Sequence, residues 1–233
     1  MRTSPKAAGI GLLVYGLGVT FAFMSLGAPG GAYEPPKIGD YIASGHWPAA
    51  FAIAFVGASA SLGLLVFGTA LRSLGADGPH RPLGELIWGL SIAGTAVSVV
   101  GAFVAGGLDV AMAEGGHAVQ TGVPFPVIYA VSEIGNLLSV CGPAFFAGVI
   151  ALVLAARSPL PSWLRVFSAV AGVCGILAPF FFTLFVFVLW TIVAGVALLA
   201  VRPTRQRVAK PVSNKRGWPP AHGSRKRRPP PLK

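Results

Sequence analysis

The sequence predicts an all-α polytopic membrane protein, a bundle of six transmembrane helices with both chain ends in the cytoplasm. Only 11% of the 233 residues are charged and 54% are apolar, whereas soluble domains carry about 25% charged residues. Charged residues are absent for about twenty residues at a time, the length that a helix needs to cross roughly 30 Å of hydrocarbon. The 31 glycines also fit, because small residues let membrane helices approach closely.

The first four predicted spans are apolar stretches bounded by charged side chains. They run over residues 7–28, 47–71, 86–108 and 126–156. Trp47 and Trp88 stand near span ends, where amphipathic rings favour the membrane interface. We expect Pro143 to kink the fourth span, because proline removes a backbone hydrogen bond.

The last apolar stretch predicts two spans rather than one. No charged residue occurs from Val166 to Val201, and a single helix of that length would measure about 54 Å. Pro179 interrupts it, and proline disfavours helix in the residue before it. We therefore expect spans over residues 162–178 and 181–201, joined by a tight turn.

The distribution of basic residues predicts the orientation. The connections expected inside hold Arg2, Lys6, Arg72, Arg81, Arg157 and Arg165, and those expected outside hold only Lys37. Lys and Arg near span ends are retained in the cytoplasm. The basic C-terminal tail must then lie inside too, which requires an even number of spans. Six spans satisfy this and five do not, so we expect a multi-pass protein of the cell inner (plasma) membrane.

One alternative concerns the N-terminus. A short basic start, an apolar run and the small residues Gly30, Gly31 and Ala32 also fit a cleaved secretory signal. The apolar run covers about twenty-two residues, whereas signal cores have about 7–15. A retained first span is therefore the expectation, and the mass of the purified protein decides between the two.

Residues 202–233 form a basic, proline-rich tail that holds eleven Lys or Arg and no acid, so it carries the whole net charge of +11. Its basic residues include Arg202, Arg205, Arg207, Lys210, Lys215, Arg216, Arg225, Lys226, Arg227 and Arg228. Such a composition does not build a packed core and predicts disorder. We expect it to contact the anionic inner leaflet, at about 1 kcal/mol per nearby basic residue, with a protein partner or a homo-oligomer as alternatives. Nucleic acid is disfavoured, because Trp218 is the tail's only aromatic residue for stacking.

A polar cluster is predicted near the outer interface. Glu133 is the only acid inside an apolar span, and Asn136 follows one turn later. Glu133 precedes Arg157 by twenty-four residues, about 36 Å along a helix, so it lies far from the inner interface. Asp109 reaches a similar height on the third span, with Glu114 and His117 just beyond it. Carboxylates and imidazole can bind a divalent cation or line a polar cavity; the alternative is a hydrated outer surface.

No enzyme, cofactor or resident metal is expected. All four histidines fall in predicted connections or the tail, and the sequence has no H-E-x-x-H, G-x-S-x-G or phosphate-binding loop. Cys141 and Cys174 lie within apolar stretches, which predicts reduced thiols. Small residues spaced by four, such as Gly57 with Ser61 and Gly94 with Ser98, predict close helix contacts, within one chain or between chains.

The stretch from Gly142 to Leu199 has further recognisable features. An uncharged span ends in Ala-Ala-Arg157-Ser-Pro-Leu-Pro-Ser-Trp163, and a glycine-containing span, an aromatic-rich turn and Leu189-Trp190 follow. This pattern resembles uncharacterised multi-span integral membrane proteins of GC-rich bacteria, and the resemblance implies no catalytic residues. The expected function is a non-enzymatic scaffold, assembly or regulatory partner. The alternative is a transporter or channel for a small solute or ion.

Overall fold

The computed structural model describes residues 5–24, 47–76, 79–113, 125–158, 161–180 and 182–200. Within these ranges the chain forms six α-helices and one 3-10 turn, and it forms no β-strand. The helices are α1 (Pro5–Met24), α2 (Trp47–Gly75), α3 (Arg81–Ala113), α4 (Phe125–Arg157), α5 (Ser162–Ile176) and α6 (Phe182–Ala200). The 3-10 turn, Ala178–Phe180, joins α5 to α6. The all-helical prediction is confirmed for the residues that the structure describes.

Five of the helices are long and apolar enough to cross a membrane: α1, α2, α3, α4 and α6. The apolar helix α5 has fifteen residues, which corresponds to about 22 Å. Helix α4 agrees with its prediction within one residue at each end and continues through Pro143. Helix α3 is longer than predicted, because the helix continues past Glu85 and Asp109 at its two ends. Charged residues end an apolar stretch without ending a helix.

The six helices form a closed ring. Each helix packs on the next along the chain, and α6 returns to pack on α1. Helix α4 also touches α1, α2 and α6, so it lies partly inside the ring. The short connections after α2 and α4 make antiparallel neighbours, as expected for a bundle. The basic tail predicted over residues 202–233 lies outside the described ranges.

Glycine pairs set the distance between helices at four of the six ring contacts. The pairs are Gly11 with Gly63 (α1–α2), Gly101 with Gly135 (α3–α4), Gly148 with Gly172 (α4–α5) and Gly9 with Gly195 (α1–α6). At all eight positions, an added Cβ would lie within 3.1 Å of the partner glycine's carbonyl oxygen. The backbones therefore touch directly, an arrangement that favours Cα–H···O contacts and van der Waals packing between membrane helices. We call these four pairs the glycine crossings.

Large side chains fill the centre of the ring. Leu12, Tyr15, Phe67, Phe187 and Trp190 are each 0–1% exposed. The Tyr15 and Phe187 rings form a T-shaped pair with centroids 6.3 Å apart, and Phe187 stacks on Trp190 with centroids 5.9 Å apart. The ring's outer surface is also apolar, and Phe103 and Val166 are 65% and 66% exposed. An apolar outside around a packed inside is the arrangement that lipid requires of a membrane bundle.

Basic side chains collect at one end of the bundle, which we call the basic end. They are Lys6, Arg72, Arg81, Arg157 and Arg165, at the first turn of α1, α3 and α5 and the last turns of α2 and α4. Arg72 is paired there with Glu85, since its Nε lies 3.0 Å from the carboxylate. The Arg72 guanidinium also stacks over the Trp88 ring, 4.1 Å from the ring centroid. These contacts join α2 to α3.

Candidate functional site

Two residues of the predicted outer cluster, Glu133 and Asn136, are neighbours on α4. They lie one turn apart on α4, and their side chains form a hydrogen bond. Glu133 is half-buried, whereas Asn136 is only 7% exposed. The pair therefore belongs to the wall between α4 and its neighbours rather than to a fully solvated helix end.

The structure does not assemble the rest of the predicted outer cluster. Asp109 lies on α3 near its end, but its side chain is outside the described part of the chain, as are Glu114 and His117 entirely. Among the described residues, no group of three or more His, Cys, Asp or Glu side chains could hold a metal ion. A cation cluster at this end stays a prediction.

Hydroxyl groups continue inward from Asn136 and connect three helices. Ser98 Oγ on α3 donates to the Ser139 carbonyl oxygen on α4 at 2.6 Å. Thr95 Oγ1, one turn away on α3, donates to the Ser61 carbonyl oxygen on α2 at 2.9 Å. All four of these residues are buried. We call the set Ser61, Thr95, Ser98, Asn136 and Ser139 the polar seam.

The sequence contains a signal for the polar seam in the spacing of hydroxyl residues along α3. Ser91, Thr95 and Ser98 recur on α3 at intervals of four and three residues, which places them on one helix face. Ser and Thr on one face of a membrane helix indicate hydrogen bonds to the next helix. The small-residue spacing of Gly94 and Ser98 predicts close helix packing but not the hydrogen bond that Ser98 makes.

One seam atom has no hydrogen-bond partner among the described residues, the buried Oδ1 of Asn136. This carbonyl oxygen is a pure acceptor, and burying it without a partner costs free energy. It lies twenty-one residues before Arg157, about 31 Å from the basic end. An acceptor beside a carboxylate can receive a proton donor or contact a cation.

The Tyr15 hydroxyl is the second such buried atom. This hydroxyl lies in the buried interior of the six-helix ring, near enough to the Cys141 thiol to interact electrostatically. Neither the sequence pattern nor any neighbouring motif singles out Tyr15, because an aromatic residue in an apolar span predicts packing alone.

An apolar cavity of about 330 Å³ occupies the ring interior at the basic end. It is lined by Leu12, Phe67, Leu71, Leu154, Ser158, Pro161, Trp163, Leu164, Ser168, Trp190, Ala194, Ala197 and Leu198. Its two serine hydroxyls are already engaged: Ser158 Oγ donates to the Leu154 carbonyl oxygen at 2.5 Å, and Ser168 Oγ accepts from Trp190 Nε1 at 2.9 Å. The cavity therefore offers hydrocarbon and aromatic surface.

A shallower groove lies on the α4 and α5 side of the basic end. Arg165 borders it together with apolar residues that include Leu152 and Val166. The Arg165 Nε donates to the Ala155 carbonyl oxygen at 3.0 Å. This bond ties the start of α5 to the end of α4, and it holds the guanidinium beside apolar surface.

Comparisons with known protein families, curated proteins and solved structures gave no match to this chain.

Proposed function

We propose that this protein is a six-span, non-enzymatic scaffold of the bacterial inner membrane, whose basic tail contacts anionic lipid or a protein partner. The glycine crossings carry this proposal. They hold four of the six helix pairs at backbone contact, and a transporter that alternates access must move one group of helices against another. A bundle with this packing suits a fixed platform better than a moving carrier.

The geometry of the α5–α6 hairpin supports a sixth span. Its tip is apolar and outward-facing, with Phe180 70% and Phe182 87% exposed. The Leu177 carbonyl oxygen at the tip accepts from the Phe180 N–H at 3.0 Å and from Thr183 Oγ1 at 2.5 Å. Lipid requires such internal satisfaction of backbone groups. A short α5 thus fits a span whose tip lies in the outer leaflet, so that α6 returns the chain to the inner side.

The basic end supports the proposed orientation. Five basic side chains lie there, and the inner side is where Lys and Arg are retained. Helix α6 ends at this same end, since Gly195 contacts Gly9 in the second turn of α1. The tail that follows α6 then begins at the inner surface, within reach of anionic headgroups and cytoplasmic proteins.

Two experiments test the proposal. A reporter fused after Lys233 should be active only in the cytoplasm, and activity on the outer side would contradict the six-span topology. Crosslinking in membranes followed by purification should recover a defined partner or a homo-oligomer with the full chain. The matched variant replaces the ten basic tail residues from Arg202 to Arg228 with Gln and should lose that partner. Recovery of the full chain alone would contradict the scaffold function.

A transporter of a small solute or ion is the second candidate. The observation that favours it is the unpartnered, buried Asn136 Oδ1 beside Glu133. Vesicles containing the protein should then take up a monovalent or divalent cation, and Glu133→Gln should reduce uptake at least tenfold. Glu85→Gln, at the basic end, is the matched control. Equal uptake by all three proteins would remove this candidate.

A further inference from the structure

The basic-end cavity is out of keeping with the rest of the bundle. The helices touch backbone to backbone at the glycine crossings, and protein interiors contain few voids larger than a water molecule. A volume of about 330 Å³ far exceeds the roughly 10–15 Å³ that one water molecule needs. Such a space within so closely packed a ring indicates room for an occupant.

The chemistry of the lining selects the occupant's class. The hydroxyls of Ser158 and Ser168 are engaged in hydrogen bonds within the protein, as is the Trp190 indole N–H. A cavity lined by hydrocarbon does not hold water stably. The occupant is therefore an apolar group, and the apolar groups at highest concentration around a membrane bundle are lipid acyl chains.

The cavity runs from the surface into the core. Pro161 and Trp163 line one part of it and are exposed, Trp163 by 59%. Leu12, Phe67 and Trp190 line the other part and are at most 1% exposed. A chain can thus enter beside the connection between α4 and α5 and reach the ring's centre while its polar end stays outside.

Charge at the same end of the bundle as the entrance favours an anionic headgroup. Arg157 directly precedes the lining residue Ser158. Arg165 directly follows the lining residue Leu164 and borders the neighbouring groove on the α4 and α5 side. Both arginines are exposed, and arginine forms paired hydrogen bonds with phosphate. Glu85, the acid that the structure describes at this end, is already paired with Arg72. Basic pockets between helices at the cytoplasmic side are places where lipid headgroups bind.

We infer that the basic-end cavity binds one acyl chain of an anionic phospholipid, with the lipid's phosphate held by Arg157 and Arg165. The inference goes beyond the scaffold function, since it needs neither the tail nor a protein partner. It requires only that the bundle lies in a bilayer with this end at the headgroups. The acyl chain then fills the part of the ring interior that the protein's own side chains leave open.

Retention of lipid through purification tests the inference on the full chain. The protein is reconstituted in vesicles of phosphatidylglycerol and phosphatidylcholine in equal parts, extracted in mild detergent, delipidated by washing and analysed by native mass spectrometry. We expect about one phosphatidylglycerol retained per chain. Ala197→Phe, which places a ring in the cavity, should lower retention at least fivefold. Ala200→Phe, on the exposed face one turn later in α6, should retain lipid as the unaltered protein does.

The arginines are tested separately. In the double variant Arg157→Gln and Arg165→Gln, the preference for phosphatidylglycerol over phosphatidylcholine should fall at least fivefold. Arg81→Gln, an exposed arginine on α3, which does not line the cavity, should leave the preference unchanged. If Arg81→Gln lowers the preference for phosphatidylglycerol as much as the double variant does, the arginines act only by general surface attraction. That result would overturn the assigned headgroup contact.

A labelling experiment uses the unaltered protein, so it tests the inference even if Ala197→Phe fails to fold. Phosphatidylglycerol carrying a photoactivatable group in mid-chain should label peptides of α1 and α6 that contain Leu12 and Trp190. Labelling confined to the outward faces, such as the α3 peptide with Phe103, would overturn the inference. So would retention of no lipid by the unaltered protein, retention of an apolar molecule without phosphate, or undiminished retention by Ala197→Phe.

Discussion

A single methyl group at the glycine crossing between α3 and α4 should measurably weaken the bundle. A Cβ added at Gly101 would lie 2.6 Å from the Gly135 carbonyl oxygen and 2.7 Å from Leu138 Cβ. Both are firmly held atoms rather than the ends of flexible side chains. Ordinary contact begins near 3.4 Å, so Gly101→Ala must move α3 away from α4 by several tenths of an ångström.

The expected cost combines two opposing effects. Overpacking of this kind costs about 1–3 kcal/mol, and the value should lie near the upper end because backbone must move. Replacing glycine by alanine within a helix raises the free energy of unfolding by about 1 kcal/mol. The net loss in the free energy of unfolding is therefore about 2 kcal/mol. For a domain of 150–250 residues, 1 kcal/mol shifts the Tm by about 2–4 °C, which predicts a fall of about 4–8 °C.

Gly89→Ala is the matched control on the same helix, because an added Cβ there meets nothing within 4 Å. It should keep the Tm of the unaltered protein or raise it slightly. Thermal unfolding of all three proteins in the same detergent, followed by near-ultraviolet circular dichroism, measures the difference. If Gly101→Ala and Gly89→Ala unfold within 1 °C of each other, α3 and α4 do not touch at this crossing.

Three further outcomes follow from single contacts. Trp190→Phe removes the 2.9 Å bond to Ser168 and should lower the free energy of unfolding by about 1 kcal/mol, visible as a lower denaturation midpoint. A double-mutant cycle of Arg72→Gln and Glu85→Gln should give a coupling of about 0.2–1 kcal/mol, which weakens as salt is added; coupling indifferent to salt would contradict a solvent-facing pair. Ser98→Ala should cost only about 0.6 kcal/mol, the usual value for hydrogen bonds between membrane helices, so a loss above 2 kcal/mol would show that the polar seam acts cooperatively.

The helices themselves were predictable, because each is an apolar stretch whose length and interruption can be read along the chain. Pro179 predicted the break between the last two helices, and the structure has a 3-10 turn over Ala178–Phe180 at that place. The Glu133 and Asn136 contact was predictable for the same reason, since residues three apart on a helix are neighbours.

Contacts between helices were not predictable in this way. Ser98 and Ser139 are forty-one residues apart, and whether they meet depends on how far α3 and α4 are rotated about their axes. With 31 glycines in the chain, many pairs have the spacing for a close crossing, and only the packed structure shows which glycine meets which. The cavity is still harder to predict from the sequence, because five helices contribute to its walls.

The return of α6 to α1 has a consequence for how the protein is made. Helices enter a membrane one by one and associate afterwards, so α1 is inserted long before its last neighbour is synthesised. Until then the α1 surface around Gly9, which meets Gly195 in the finished ring, has only lipid to face. A chain that ends before α6 therefore lacks the helix that packs on this face of α1, and its ring stays open between α1 and α5.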